Sequence, residues 1–202
     1  MHWMPPESQS QHTVQLFDSS KSLGDSVSQF LITGLERGEN LLVVASPEHR
    51  ELLARHLGDR GWSTRTLIAA NRLVVLDASQ TLEKFMRQDT PSPVAFDEVV
   101  GSLVHRLAAG KRLWIYGEMV DVLAARGNYR GAQQLEEIWN VLGQRECFTL
   151  FCGYASGHFG DPRTASSLAA ICSTHDHVHR KATDILAEFL LNQQDVKDPA
   201  SR

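Results

Sequence analysis

Four short apolar runs, each ended abruptly by a glycine or a polar residue, constrain the fold of this chain more than any other feature. The runs are residues 41–45, 73–76, 112–116 and 148–152. They are rich in Val, Leu and aromatic residues and are separated by stretches with helical spacing, which is typical of buried strands in a mainly parallel sheet. Because strand and helix alternate at least four times, right-handed crossovers predict an α/β fold built as a three-layer sandwich.

The segments around these runs are assigned mainly from the spacing of apolar residues. Residues 12–17 are predicted to be extended, and residues 62–68 are predicted to form an edge strand. Ser46 followed by Pro47 favours a helix start directly after the first run. Helices are otherwise predicted at about 20–35, 79–86, 96–107, 119–126, 135–142, 164–172 and 178–192, and an irregular glycine-rich stretch at 153–162.

Length and composition are consistent with one domain. A chain of 202 residues with 42% hydrophobic content can bury one sizeable core. Residues 1–10 and 193–202 are polar, contain prolines and lack periodicity, so we expect them to be flexible tails. Residues 11–192 are therefore predicted to form a single domain.

Charge and hydropathy argue against several classes of function. The formal net charge of −4 provides no basic footprint for nucleic acid or for an anionic membrane. No apolar stretch approaches the roughly 18 to 20 residues that span a bilayer, and the amino terminus lacks a signal-peptide pattern. We therefore expect a cytoplasmic protein that binds neither nucleic acid nor membrane. Cys147, Cys152 and Cys172 lie in or beside predicted core elements and are interpreted as buried thiols.

The turn after the first apolar run lacks the features of a phosphate loop. Such a loop places glycines, a lysine and a hydroxyl residue around the phosphates of a nucleotide. Here residues 46–50 read Ser-Pro-Glu-His-Arg, in which Pro47 removes an amide donor and Glu48 adds a negative charge. No G-x-G-x-x-G motif follows any predicted strand. ATP hydrolysis is therefore not expected, and we expect no enzymatic activity.

Two further motifs contain residue types used in metal binding and nucleophilic catalysis. His175, His177 and His179 alternate, so they would share a face on a strand but not on a helix. Because a predicted helix follows them, we expect a helix start with capping and surface histidines and no metal, with a partial two-ligand site as the alternative. Residues 153–157 read Gly-Tyr-Ala-Ser-Gly, a spacing that differs from that of a nucleophile elbow. His49 is interpreted as a solvent-facing or crevice-lining group.

The ends of the predicted strands provide the best candidate for a binding site. In parallel α/β sheets the ligand crevice lies beyond the carboxyl ends of the strands, and mixed polar and aromatic residues there suit a small-molecule pocket. Glu118 would be its polar centre, with a simple cap of the following helix as the alternative role. The residues expected around this crevice are Ser46, Asp77, Trp114, Tyr116, Glu118, Cys152 and Tyr154.

Several short motifs, in order along the chain, resemble those of one known family. They are residues 12–17, 30–39, 116–119, 135–140, 150–154 and 171–175. Together they resemble the MEDS domain, the sensory domain of methanogens and methylotrophs that is named after a dichloromethane-responsive repressor, over about residues 11–180. The resemblance implies a RecA- and KaiC-like layout without a working phosphate loop. It also implies a ligand-sensing module of the kind often fused to histidine kinases, DNA-binding domains or anti-sigma-factor antagonists.

The same resemblance implies polar site residues at His12, Glu118, Tyr154 and His175, and the chain departs from the family pattern at Phe17, where tyrosine is usual. We expect a stand-alone cytoplasmic sensor that binds a small molecule at the carboxyl ends of the strands. It would signal through a kinase or anti-sigma-type partner, or through self-association. No cofactor is specified. The alternatives are a ligand-free interaction module, whose pocket aromatic side chains fill, and a degenerate nucleotide-binding protein.

Overall fold

The computed structural model describes residues 10–108 and 111–179, with the side chain of residue 179 excepted. The predicted tails at 1–10 and 193–202 lie outside the described residues, except for Ser10, whose hydroxyl donates to the Glu146 carbonyl at 2.6 Å and accepts from the Phe148 amide at 3.2 Å. The predicted last helix beyond residue 179 also lies outside the described residues. No helix in the described part combines the length and apolar character needed to cross a bilayer.

Six parallel strands form the central sheet, and two very short antiparallel strands form a separate hairpin. In chain order the strands are β1 (Gln11–Phe17), β2 (Asn40–Ala45), β3 (Leu73–Asp77), β4 (Met86–Arg87), β5 (Thr90–Pro91), β6 (Leu113–Gly117), β7 (Phe148–Ala155) and β8 (His177–His179). The order across the main sheet is β3-β2-β6-β7-β1-β8. The four predicted runs correspond to β2, β3, β6 and β7. Along the chain, these are the main-sheet strands between β1 and β8.

Helices cover both faces of this sheet. They are α1 (Ser20–Glu36), α2 (Pro47–Asp59), α3 (Thr64–Ala69), α4 (Ala78–Phe85), α5 (Pro93–Phe96), α6 (Ser102–Ala108), α7 (Met119–Ala125), α8 (Tyr129–Gly143) and α9 (Ala165–Ser173). A turn of wider π-helix, Asp97–Gly101, joins α5 to α6, and two short 3-10 turns, Ser156–Phe159 and Pro162–Thr164, precede α9.

The connections between strands use the two faces in turn. Helices α1 to α3 carry the chain from β1 through β2 to β3 against one face, and α4 to α9 carry it from β3 through β6 and β7 to β8 against the other. The chain therefore moves along the sheet in one direction on the first face and in the opposite direction on the second, as crossovers of a single hand require. The predicted three-layer α/β sandwich with a parallel sheet is confirmed.

Strand β6 shows how alternation along one strand builds both cores. Leu113 and Ile115 pack with the residues of α4 to α9, whereas Trp114 and Tyr116 pack with those of α1 to α3. A Cβ atom at Gly34 of α1 would lie 2.7 Å from the Trp114 ring, so glycine allows α1 to approach the sheet closely. These contacts position Tyr116, and through it the end of β6.

Two secondary-structure predictions were wrong. Residues 62–68 do not form an edge strand, because Ser63 caps a helix by accepting a hydrogen bond from the Thr66 amide at 3.3 Å, and Leu67 is the buried residue of that helix, α3. Residues 177–179 do not start a helix but form β8, which pairs with β1. The pairing begins at Asp176, whose amide donates to the His12 carbonyl at 2.9 Å.

The predicted irregular stretch at 153–162 is also only partly correct. Strand β7 continues to Ala155, because Gly153 and Tyr154 still pair with β1. The two 3-10 turns then occupy most of the remainder of that stretch. Tyr154 consequently lies in the sheet itself and not in a loop beyond it.

Candidate functional site

Of the nine residues expected at the site, eight fall into two buried clusters and one separate ion pair, and the ninth, Trp114, packs in the core against α1. We call the first the Glu118 cluster, which consists of Ser46, His49, Tyr116 and Glu118. We call the second the Glu136 cluster, which consists of His12, Glu136, Cys152, Tyr154 and His175. Asp77 makes the ion pair, with Arg50.

The Glu118 cluster lies where β2 and β6 end. The Glu118 residue is 2% exposed, and its Oε2 accepts a hydrogen bond from the Ser46 amide at 2.8 Å. Its Oε1 accepts one from the Tyr116 hydroxyl and contacts the His49 Nδ1 atom, both at 2.7 Å. The bond to Glu118 raises the pKa of His49 above its usual value, even though partial burial acts in the opposite direction. Protein donors thus satisfy this carboxylate on both of its oxygens.

At this position the chain leaves two neighbouring strands, β2 and β6, toward opposite faces of the sheet. Ser46 follows β2 and precedes α2, whereas Glu118 follows β6 and precedes α7. Such a switch point is where ligands commonly bind in α/β sheets, and the start of a helix attracts anions. Here the carboxylate of Glu118 takes the place of an anion at the start of α2.

The alternative role of Glu118 as a side-chain cap is wrong. Glu118 occupies the residue before α7, but its side chain makes no capping hydrogen bond to that helix. Its carboxylate instead turns toward Ser46, because the Ser46 amide, the Tyr116 hydroxyl and the His49 ring all lie on that side.

Asp77 has a different environment. Its Oδ1 accepts the amide of Gln80 at 2.9 Å and so caps α4, while its Oδ2 accepts a hydrogen bond from Arg50 at 3.0 Å. The side chains of Arg50 and Asp77 are 31% and 12% exposed. This residue therefore has a capping and surface ion-pair role in the structure.

The Glu136 cluster lies on the other face of the sheet, between β1, β7, α8 and the end of α9. The Glu136 side chain is fully buried. Its Oε2 lies 3.1 Å from His12 Nε2 and 3.3 Å from the Cys152 sulfur, and its Oε1 lies 3.3 Å from His175 Nε2. The Tyr154 hydroxyl donates to Oε1 at 2.7 Å. Four side chains thus converge on one buried carboxylate.

The outer nitrogen of each imidazole has a fixed partner. Asn140 donates from its Nδ2 to the Thr174 carbonyl at 2.7 Å, so its Oδ1 faces His12 Nδ1, 2.8 Å away, as an acceptor. His175 Nδ1 lies 2.8 Å from the Ile171 carbonyl oxygen, which can only accept. Both Nδ1 atoms therefore carry a proton, and in the neutral rings the Nε2 lone pairs face the Glu136 carboxylate.

Burial and charge act together on the protonation states in the Glu136 cluster. Burial alone would raise the pKa of Glu136, but the charge of nearby His175 and the close contacts of the two imidazoles outweigh it, so this pKa lies well below its usual value. Burial lowers the pKa of His175, yet the Glu136 carboxylate outweighs it and the pKa is raised. Burial, reinforced by Glu136, raises the pKa values of the Cys152 thiol and the Tyr154 hydroxyl well above normal. The carboxylate is thus charged while the thiol and the phenol are neutral.

A pocket of about 480 Å³ opens beside the Glu136 cluster, at the amino ends of β1 and β7. We call it the Asn140 pocket; its polar wall includes His12, Asn140, Thr174 and Asp176, and Trp139 and Phe148 contribute apolar surface. Its volume is in the range of small-molecule sites, roughly 300–1,000 Å³. Two other cavities, of about 650 and 180 Å³, are lined by neither Glu118 nor Glu136.

Four residues in or beside these clusters were either missed by the sequence analysis or given a different local interpretation. Glu136 and Asn140 were not singled out, although Glu136 follows Ala132 by four residues and precedes Trp139 by three, which places a charge on the buried face of α8. His49 was expected as a surface or crevice group but binds Glu118. For His175 the family resemblance implied a site residue, whereas the local pattern predicted a capping or surface histidine; its side chain is 0% exposed, so the local interpretation was wrong.

Comparison with known proteins identifies one family and one fold. The model of the family described as the methanogen/methylotroph, DcmR sensory domain (MEDS) matches residues 11–176. A KaiC-like protein from the hyperthermophilic archaeon Pyrococcus horikoshii OT3 has a similar crystal structure, with a TM-score of 0.52 at 15% identity, over 89% of this chain and 76% of that one. No curated protein matches the sequence. At this identity the structural likeness concerns the RecA-type fold alone.

Proposed function

This chain belongs to the family of MEDS sensory domains, and we propose that it senses a small molecule in the Asn140 pocket and reports binding to a partner protein. The proposed binding site is not the crevice at the carboxyl ends of the strands that the sequence predicted. The carboxylate at the carboxyl edge, Glu118, already binds three protein donors. The pocket of suitable size lies at the opposite edge.

One observation carries the proposal: a chain of polar contacts leads from the Asn140 pocket to the buried carboxylate. Asn140 lines the pocket and contacts His12 Nδ1 at 2.8 Å. His12 Nε2 in turn lies 3.1 Å from Glu136. A ligand that engages Asn140 changes the partner of His12, and buried polar networks are sensitive to the loss of any one partner.

The same pocket touches the residues that attach β8 to the sheet. The His12 amide donates to the Asp176 carboxylate at 2.9 Å, and the Asp176 amide donates to the His12 carbonyl at 2.9 Å. Both residues line the pocket. Because β8 is a three-residue edge strand, its pairing is among the more easily changed parts of a sheet. A ligand that binds more tightly when β8 is paired would shift that equilibrium and thereby alter the surface that a partner meets.

The test is a thermal-shift screen of small polar metabolites, followed by a variant that fills the pocket. Gln144 is exposed, lines the pocket and does not belong to the Glu136 cluster, so Gln144→Trp should block the site without disturbing the cluster. At a concentration of 100 Kd a ligand stabilises by about 2.7 kcal/mol, which raises Tm by about 5 to 10 °C in a chain of this size.

The matched control is Gln80→Trp, at an exposed position on α4. We expect the ligand to raise Tm in the unmodified chain and in Gln80→Trp but not in Gln144→Trp. A screen without any stabilising compound, or one in which Gln144→Trp responds like the control, would remove the support for this site.

The second candidate function is an interaction module that needs no ligand. It is favoured by the burial of Trp114, Tyr116 and Tyr154, which are at most 2% exposed and fill the interior beside the strand ends. A separate groove of about 650 Å³ also leaves Val94 and Val141 70% and 56% exposed. Sedimentation velocity of Val94→Lys/Val141→Lys tests whether this groove mediates self-association. An unchanged sedimentation coefficient at high concentration argues against that role.

A further inference from the structure

We propose that the Glu136 cluster binds one transition-metal ion of the zinc(II) class, with the Nε2 atoms of His12 and His175, the Cys152 sulfur and the Glu136 carboxylate as its four ligands. The cluster is the one that the proposed function uses, so a role of the metal in sensing rests on that proposal. Binding of the metal itself does not depend on it.

The donor atoms of the Glu136 cluster are spaced much as the ligands of one ion are. The four ligand atoms lie within 4.8 Å of one another. His12 Nε2 is 3.1 Å from Glu136 Oε2 and 3.3 Å from the Cys152 sulfur, and that sulfur is 3.3 Å from Oε2. A tetrahedron with zinc bond lengths has edges of about 3.3 to 3.7 Å. Three of the separations are thus already near the tetrahedral edge, whereas the widest, up to 4.8 Å, would have to close by about 1 Å when the ion binds.

The unprotonated ring nitrogens of the neutral imidazoles lie on the side of the carboxylate. Since both Nδ1 atoms donate to carbonyl oxygens, the neutral imidazoles of His12 and His175 point acceptors at the carboxylate of Glu136. Acceptors that face each other repel unless a cation lies between them. His175 Nε2 is buried and has no hydrogen-bond partner in the described part of the chain, although buried polar atoms are nearly always paired. This atom lies 3.3 Å from Glu136 Oε1.

A proton on one imidazole could also reduce the repulsion, but the thiol distinguishes the two cases. The Cys152 sulfur does little to stabilise a proton held in the cluster, whereas zinc-class ions bind thiolate and imidazole strongly. On binding, the S–H bond of Cys152 breaks and a metal–sulfur bond forms, and the thiol proton leaves to solvent together with the proton that a charged His175 carries on Nε2. The dipositive ion, the thiolate and the Glu136 carboxylate then sum to zero charge, which suits a buried site.

The donor set fits a zinc-class ion better than a hard cation such as calcium or magnesium. Calcium and magnesium prefer oxygen ligands, whereas most donors of this cluster are nitrogen and sulfur atoms. Asn140 and the Ile171 carbonyl orient the two imidazoles, and Tyr154 holds the second oxygen of Glu136. Such outer contacts are characteristic of metal-ligating histidines and carboxylates. The Asn140 pocket reaches His12 and provides an entry path.

The test is titration of the metal-depleted full chain with cobalt(II), which replaces zinc and is visible spectroscopically. We expect one equivalent to bind, with the visible bands of a tetrahedral ion and a near-ultraviolet thiolate charge-transfer band, and zinc to displace it. Cys152→Ser should abolish the charge-transfer band. Cys147→Ser is the control, because Cys147 is half-buried and outside the cluster, and it should leave the band unchanged.

X-ray absorption of the zinc-loaded, unsubstituted chain provides a measurement that needs no variant to fold. We expect one sulfur at about 2.3 Å and three nitrogen or oxygen neighbours at about 2.0–2.2 Å. Failure of the folded, metal-depleted chain to bind one equivalent, a shell without sulfur, or a band that persists in folded Cys152→Ser would each overturn the metal proposal. The metabolite screen with Gln144→Trp decides the sensory proposal separately, since neither result requires the other.

Discussion

Glu118 and Glu136 are two buried carboxylates on opposite faces of one sheet, and they differ in what surrounds them. Both are nearly inaccessible, at 2% and 0% exposure. Glu118 receives a backbone amide, a hydroxyl and an imidazole hydrogen bond. Glu136 receives a phenol and a thiol, and two imidazoles face it with their Nε2 atoms. Thus protein donors alone satisfy the first carboxylate, whereas the second has the donor set that the proposed metal ion would use.

The two sites also differ in the part of the sheet that they hold. Glu118 connects β2, α2 and β6, in the interior of the sheet order. Glu136 connects β1, β7, α8 and the segment that leads to β8 at the sheet edge. Edge elements open at lower free energy than central ones. The Glu118 cluster therefore holds strands in the interior of the sheet order, and in the proposed mechanism the Glu136 cluster is the one whose contacts a ligand would change.

The largest effect should come from removing the charge of Glu136. In chelator-treated protein, Glu136→Gln should lower the free energy of unfolding by about 3–5 kcal/mol, because it leaves the charge of His175 without its buried partner. Urea denaturation measures this loss. Glu137→Gln, at the neighbouring exposed position, is the control and should change stability by less than about 0.5 kcal/mol. Equal losses in the two variants would show that Glu136 does not compensate a buried charge.

A smaller loss should follow from disturbing the donor side of the Glu118 cluster. A Cβ atom at Gly153 would lie 2.9 Å from the Tyr116 hydroxyl oxygen, so Gly153→Ala should push this donor away from Glu118. Overpacking of this kind costs about 1–3 kcal/mol. A Cβ atom at Gly157 would meet nothing within 4 Å, and Gly157→Ala is therefore the control in the same urea experiment. A neutral Gly153→Ala would mean that Tyr116 is not held as tightly as the structure indicates.

Much of the fold could be predicted from the sequence because apolar runs and helical stripes report burial directly. The four runs correspond to strands of the sheet, and Ser46 with Pro47 begins α2 as expected. The errors occurred where tertiary contacts decide. Residues 177–179 became a strand because the open edge of β1 accepts them, and no local pattern records that edge.

The site was harder to predict because its residues come from distant segments. His12, Cys152, Tyr154 and His175 were all expected, but as parts of one crevice that also contained Glu118. Alternation along β1 and β7 places them on the opposite face from Tyr116. Glu136 was missed although it stands on the buried stripe of α8, where a charged residue requires a buried partner. Strand-end reasoning finds which residues approach the sheet edge but not which face they share.

The Glu118 cluster should also show a pH dependence through His49. Its folded pKa lies above the unfolded value of 6.5; the acidic groups around it are Glu118, Glu48 and Asp121. The hydrogen bond to Glu118 therefore contributes fully below pH 6.5 and is lost as pH rises through the folded pKa. We expect a loss of about 1 kcal/mol over that interval. Urea titrations of the unmodified chain and His49→Gln measure it, and parallel pH profiles would show that His49 is not the titrating group.

The smallest effect should come from the carboxylate outside both clusters. Asp77 pairs with Arg50 at 3.0 Å where the arginine side chain is 31% exposed, and such partly exposed pairs contribute about 0–1 kcal/mol. Arg50→Met keeps most of the side-chain packing and removes the charge, so its cost should lie in that range and diminish in 1 M salt, where screening is strong. A cost that exceeds that of His49→Gln, or one that does not respond to salt, would place Asp77 with the buried carboxylates. The roles of Asp77, Glu118 and Glu136 would then not be separated by their burial and their hydrogen-bond donors.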